Sequence, residues 1–270
     1  MASGKQSKRR RQGGVPKPPP PVGRNRQRRQ ASPRVLAAGA IVVVAAVVAI
    51  VLAVVLTGGS SDAKTPQRGS LGGAALPGAA EVQKLLNGIP QHDNVLGSPN
   101  APATMVEYID LQCPYCQQFE TQAMPTLVEK YVRPGKLKVE ARPLAFIGPD
   151  SVRGRAAVIA AGNQGKFFNL AQILYLNQGT ENTGWLDDDM VKAAAASVPG
   201  LDVTRLLDER GSSAVDAKAS SFDQQAQTDK VNQTPTILVG AGSGPLKQVT
   251  LASPTDEKSV AAAIDAVLGG

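Results

Sequence analysis

Cys113 and Cys116 are the only cysteines in the chain, and they enclose Pro114 and Tyr115 in a Cys-Pro-Tyr-Cys run. The segment before them, 103–110, carries Thr104, Val106, Tyr108 and Ile109 and predicts a strand, while 117–132 predicts a helix. A strand must therefore hand over to a helix at the cysteines, which ties the first helical turn to the end of a sheet. That turn has unpaired backbone N–H groups and a partial positive charge, and both favour a thiolate over a thiol. The thiolate is the reactive form, and a second sulfur three residues on can close a disulfide with it. The run predicts a redox-active dithiol.

Its location decides whether such a pair can stay oxidised. Residues 35–56 are 22 consecutive Val, Ala, Ile, Leu and Gly without a charge. At ~1.5 Å per residue a helix of that length crosses a hydrocarbon core of ~30 Å. The formal net charge of +7 would suggest a nucleic-acid partner if it were spread over a fold. However, eleven of the 29 Lys and Arg fall in residues 1–34, which have no Asp or Glu, leaving 18 against 22 acids beyond, a net −4. The basic cluster abuts the apolar run, so the positive-inside rule places residues 1–34 in the cytoplasm and 57–270 outside. A cleaved secretory signal would have a shorter apolar core and a small-x-small site. No cysteine precedes Cys113, so a lipid-modified N-terminal cysteine is excluded. The expectation is a single-pass cell-membrane protein: a disordered basic cytoplasmic tail at 1–34, a transmembrane helix at 35–56 and a flexible linker at 57–87, with a short helix at 81–87. The cysteines then lie where disulfides persist. A structural disulfide closing so short a loop would remove little chain entropy.

The main domain is placed at 88–270. An extended arm at 88–97 leads into a strand at 104–110, a helix at 117–132 kinked by Pro125, and a strand at 137–144. Apolar spacing then predicts helices at 151–162, 165–177, 187–197, 202–210 and 214–228. Strands follow at 236–239 and 246–251, and an Ala-rich helix at 256–268 closes the chain. The order is β-α-β, a helical insertion at about 149–230, then β-β-α, with parallel strands joined by the first crossover.

That order, together with the residues Val106 to Glu120 around Cys113-Pro114-Tyr115-Cys116 and the distant Thr234-Pro235-Thr236, resembles the thioredoxin fold with an inserted helical domain. It is similar to the DsbA-like thiol–disulfide oxidoreductases of bacterial cell envelopes over roughly residues 100–270. The resemblance implies an α/β fold with Cys113 as the attacking thiol and Cys116 as the shielded resolving thiol. Pro114 costs no hydrogen bond in the first helical turn. Tyr115 stands where strongly oxidising members carry His; a neutral Tyr adds no positive charge, so a less extreme oxidant is expected, and a Cys113 pKa near ~3.5 would contradict this. The resemblance makes Pro235 cis and sets it against the cysteines, exposing the Thr234 backbone to a substrate strand. It also makes Glu107 a buried carboxylate that exchanges a proton with Cys116. The residues by themselves leave Pro235 open as an ordinary strand-opening proline and Glu107 as a solvent-facing strand residue. Thr at position 234 occurs in isomerase-like relatives too and does not set the direction of electron flow.

Other candidates read more simply. Glu120 reads as a surface charge that modulates potential, His92 as a solvated loop residue, and Trp185 with Phe167 and Phe168 as packing. Two cysteines and one histidine leave a tetrahedral zinc site short of a ligand, so no metal or cofactor is expected. The leading reading is oxidation of cysteine pairs in exported proteins, with reoxidation by a quinone-coupled membrane protein of the DsbB or vitamin-K-epoxide-reductase type. The alternatives are an extracytoplasmic reductase or isomerase, and a non-catalytic binding module.

Overall fold

The computed structural model describes residues 75–269. The basic tail, the apolar run and residues 57–74 of the expected linker lie outside the described residues. Among the described residues no helix is long and apolar enough to cross a membrane.

The centre of the molecule is a six-stranded sheet of order β1-β2-β4-β3-β5-β6. Its core strand, β3 (Ala103–Ile109), is buried at all seven positions, as expected of a strand covered on both faces. It runs parallel to β4 (Leu137–Pro143) and antiparallel to β5 (Thr236–Ala241). The expected arm at 88–97 is a hairpin of β1 (Gln91–His92) and β2 (Val95–Leu96), and β2 pairs antiparallel with β4. Asp93 turns that hairpin with a φ of 50°, a left-handed conformation that Asp tolerates. On the other edge β6 (Lys247–Val249) pairs antiparallel with β5.

The connection from β3 to β4 runs through α1, a continuous helix over 114–132. Its turns are α-helical at Pro114–Gln118 and Met124–Leu127 and π-helical at Phe119–Ala123 and Val128–Val132. The expected disturbance at Pro125 takes this form. Pro125 has no N–H to donate, and the wide turn before it, closed by Met124 N–H on the Phe119 carbonyl, lets the helix continue around it.

The helical insertion comprises α2 (Pro149–Gly162), α3 (Phe167–Leu176), α4 (Asp188–Ala196), α5 (Val203–Glu209) and α6 (Ser213–Thr228). Three begin on capping side chains: Asp187, Asp202 and Ser212 accept from the N–H groups of Met190, Arg205 and Val215. Gly154 of α2 lets the insertion close on the segment before Cys113. A Cβ there would lie 2.5 Å from Leu186 Cδ2 and 3.0 Å from Leu111 Cβ. The chain closes with α7 (Glu257–Leu268), which buries Val260, Ala261 and Ile264 and receives a 2.8 Å hydrogen bond from the Tyr131 hydroxyl at Asp265 Oδ1.

One boundary is corrected. The linker was expected to reach residue 87, but residues 76–86 belong to the folded body. Leu76, Val82 and Leu86 are buried, the Leu76 N–H donates to Ser197 Oγ at 2.9 Å, and Ala79–Leu86 forms a helix. Val82 and Leu86, one turn apart, supply the apolar face that holds it down.

Candidate active site

Strand β3 delivers the chain to Asp110, which is fully buried and fully satisfied. Its Oδ1 accepts from the Gln112 N–H (2.9 Å) and the Ser151 hydroxyl (2.7 Å), and its Oδ2 accepts from the N–H groups of Phe146 (2.8 Å) and Ile147 (3.2 Å). Gln112 is fixed in turn by donating to Ser151 Oγ at 3.0 Å and accepting from the Asn182 N–H at 2.8 Å. The turn before the cysteines is thus locked to the sheet, the loop after β4 and the helical insertion. Sequence reasoning missed Asp110. The signal was an Asp at a strand end, positioned to accept from the N–H two residues on.

Cys113 is the N-cap of α1, with extended backbone angles, and its sulfur accepts from the Cys116 N–H at 3.5 Å. Pro114 opens the helix, where its missing N–H costs nothing. Both thiols are free. The Cys113 thiol is brought down to about 6, first by hydrogen bonding from the Cys116 thiol. The Thr234 side chain and the N–H groups of Cys116 and Tyr115 add to the effect, and burial opposes it. Cys116 is completely buried, and that burial, followed by the interaction with Cys113, pushes its thiol well up. The pair is therefore split, Cys113 favouring its thiolate and Cys116 its thiol.

The distant motif comes to the same place. The Thr234–Pro235 peptide is cis, and the Cys113 thiol donates to the Thr234 carbonyl at 3.3 Å. Tyr115 is 57% exposed. With Gln233, Thr234, Pro235 and the 251–254 loop it lines an open cleft of about 450 Å³ beside the cysteines.

A buried cluster of acids, Glu107 and Glu120, shares the surroundings of Tyr175 with Cys116. Glu107 is buried and neither of its oxygens meets an N–H or hydroxyl donor. Burial, then the charge of Glu120, pushes its carboxyl well up. The expectation that Glu120 is a surface charge is corrected: it is 2% exposed, and its Oε2 accepts from Gln172 Nε2 at 2.5 Å. Four residues after Cys116, it shares the inward face of α1 with that cysteine. Burial raises its carboxyl to about 7, with hydrogen bonds to Glu107 and Gln172 holding the rise back. Tyr175 completes the cluster, donating to the Asp110 carbonyl at 3.2 Å. Carboxyls pushed upward in this way hold their protons more firmly than exposed acids and can serve as proton donors or acceptors.

The remaining candidates stay outside the site. The His92 side chain is 90% exposed and sits 3.3 Å from Asp93. Phe167 and Phe168 are buried with ring centroids 5.2 Å apart, and Trp185 packs against the core. Among the described residues no group of His, Cys, Asp and Glu is arranged to hold a metal ion.

Comparison with known proteins gives a consistent picture. Residues 90–266 match the thioredoxin family model. The chain is 31% identical over 147 residues to a probable disulfide bond formation protein D of Bacillus cereus, an alignment covering 53% of this chain and 68% of that one. The crystal structure of oxidised BdbD from Bacillus subtilis superposes with a TM-score of 0.58 at 20% identity, over 67% of this chain and 98% of that one. Wolbachia pipientis alpha-DsbA1 superposes with a TM-score of 0.55 at 21% identity, over 66% and 91%. The two structural likenesses show a shared fold.

Proposed function

This chain belongs to the thioredoxin family and is a thiol–disulfide oxidoreductase, and from that premise we propose that it is an extracytoplasmic oxidase of cysteine pairs in exported proteins. The observation that carries the direction is the split between the two thiols. A Cys113 thiolate stabilised to about 6 is a good leaving group, and stabilising the reduced form makes the disulfide a stronger oxidant. The location rests on the 22-residue apolar run and on the basic residues confined to its N-terminal side.

In the forward reaction a substrate thiolate attacks Cys113 of the Cys113–Cys116 disulfide. The S–S bond breaks, its electron pair leaves on Cys116, and that thiolate takes a proton from the carboxyl pair below it, with Glu107 as the donor. The substrate's second thiolate then attacks its own sulfur in the mixed disulfide and releases Cys113 as a thiolate. The substrate has lost two electrons and the enzyme holds them as a dithiol. Thr234, presented by Pro235, offers its backbone to the extended substrate beside Cys113. A quinone-coupled membrane protein of the DsbB or vitamin-K-epoxide-reductase type would accept the two electrons and restore the disulfide.

Tyr115 favours a second reading, a reductase or isomerase, because it brings no positive charge to the thiolate. Equilibration of the Cys113–Cys116 couple with glutathione separates the oxidase from the reductase. An oxidase weaker than the strongest members should have a potential between about −120 and −200 mV, whereas a value near −270 mV would overturn the oxidase in favour of the reductase.

A further inference from the structure

Tyr108, near the end of β3, has register partners on both sides: Arg142 on β4 and Thr236 on β5. Its hydroxyl donates to Asp229 Oδ2 at 2.6 Å and accepts from Arg142 Nη1 at 2.7 Å. Arg142 Nη1 also reaches Asp229 Oδ2 at 3.2 Å, and its Nε donates to Glu140 Oε1 at 2.8 Å. Asp229 is the C-cap of α6 and opens the segment that carries Thr234 and Pro235. Lys230 follows in a left-handed conformation (φ 57°), and the Val231 N–H closes on the Ala226 carbonyl at 2.8 Å.

The segment between α6 and β5 is therefore tied at both ends to one residue: to the Tyr108 side chain through Asp229, and to the Tyr108 backbone position through Thr236. Between these ties Thr234 meets the Cys113 sulfur. Tyr108 is fully buried, and the Arg142 and Asp229 side chains are 13% and 28% exposed. A buried hydroxyl held between a cation and an anion is costly to leave unpaired, so the arrangement is strongly specified. Burial, and then the hydrogen bond to Asp229, pushes the Tyr108 hydroxyl up to about 12, so it stays a neutral donor wherever exchange runs.

We propose that Tyr108, Arg142 and Asp229 are positioning residues that act as one clamp on the 229–235 segment and hold Thr234 in register with Cys113 for thiol–disulfide exchange. The proposal rests on Cys113 being the exchanging thiol and is independent of the direction of electron flow.

The test uses the full-length protein in detergent with the variants Tyr108→Phe, Asp229→Asn and their combination. Three quantities are read: the exchange rate with a synthetic dithiol peptide, the pH midpoint of Cys113 alkylation by iodoacetamide, and the thermal midpoint. Each single variant should slow exchange by about fivefold. Each should also move the alkylation midpoint upward, because the Thr234 side chain, which helps lower the Cys113 thiol, is no longer held beside it. The combined loss should be smaller than the product of the single losses, as for residues that work as a unit. Tyr108→Phe changes no charge, so a long-range field effect of Asp229 cannot imitate its result. Unchanged exchange and alkylation in both single variants, with or without a lower thermal midpoint, would overturn the clamp. So would losses that multiply independently. If the wild-type protein failed to exchange with the peptide, the functional reading would fall, while the alkylation midpoints would still report on the clamp.

Discussion

Replacing Cys113 with Ala should abolish dithiol exchange, with a loss on the order of 10⁴-fold or more in rate, the scale seen when a covalent nucleophile is removed. Cys116 cannot take over, because it is completely buried and its thiol is pushed well up by that burial. The same asymmetry sets the pH dependence in the wild-type protein. Alkylation of Cys113 should reach half its maximal rate near pH 6, fall about tenfold per unit below that, and be flat above it. A midpoint near 9 would remove the role of the helix end and its hydrogen bonds, and one near 3.5 would remove the argument from Tyr115. The sign carries over to stability. The folded value of about 6 lies below the ordinary thiol value of 9.0, so the contribution of Cys113 to the stability of the reduced fold grows as pH rises from 6 toward 9 and is lost as pH falls through 6.

Replacing Cys116 with Ala should have the opposite appearance, accumulation rather than loss. Cys113 loses the hydrogen bond from Cys116 but keeps its place at the helix N-terminus and the N–H groups of residues 115 and 116, so it still attacks substrate disulfides. Attack breaks the substrate S–S bond, leaves one substrate sulfur on Cys113 and frees the other as a thiolate. On the proposed function, Cys116 of the wild-type protein would resolve such adducts from three residues away, an intramolecular reaction with an effective concentration on the order of 10⁵ M or higher in well-aligned systems. Without it the adducts should persist in cells as dithiothreitol-sensitive species, and turnover should cease. Absence of such species would remove the exchange step itself.

Much of this was legible in the sequence because it is local. A strand, a Cys-Pro-Tyr-Cys turn and a helix follow from neighbouring residues, and the helices of the insertion follow from the spacing of their apolar residues, while the Ser212 cap of the last one appears only in the structure. Thr234-Pro235 was placed beside Cys113 only through a family resemblance, since nothing local links positions 121 residues apart. The features that were missed are those that depend on distant partners. Glu120 reads as a surface charge from sequence because acids are seldom buried, and its place on the inward face of α1 with Cys116 depends on how the helix packs. Its partners, Glu107 and Gln172, come from a strand and from the helical insertion. Tyr108 looked like one more apolar residue of β3, and its meeting with Arg142 and Asp229 depends on sheet register and on where α6 ends.

The central claim is that Cys113 and Cys116 work as an oxidising pair, and the most direct measurement is their resting redox state in the cell. Cells quenched in acid and alkylated with a mass-adding thiol reagent should show the wild-type protein predominantly unmodified, its two cysteines joined as a disulfide. The pair should become fully reactive once dithiothreitol is added before quenching. A protein found predominantly as the dithiol in growing cells would contradict the account and reverse the assigned flow of electrons.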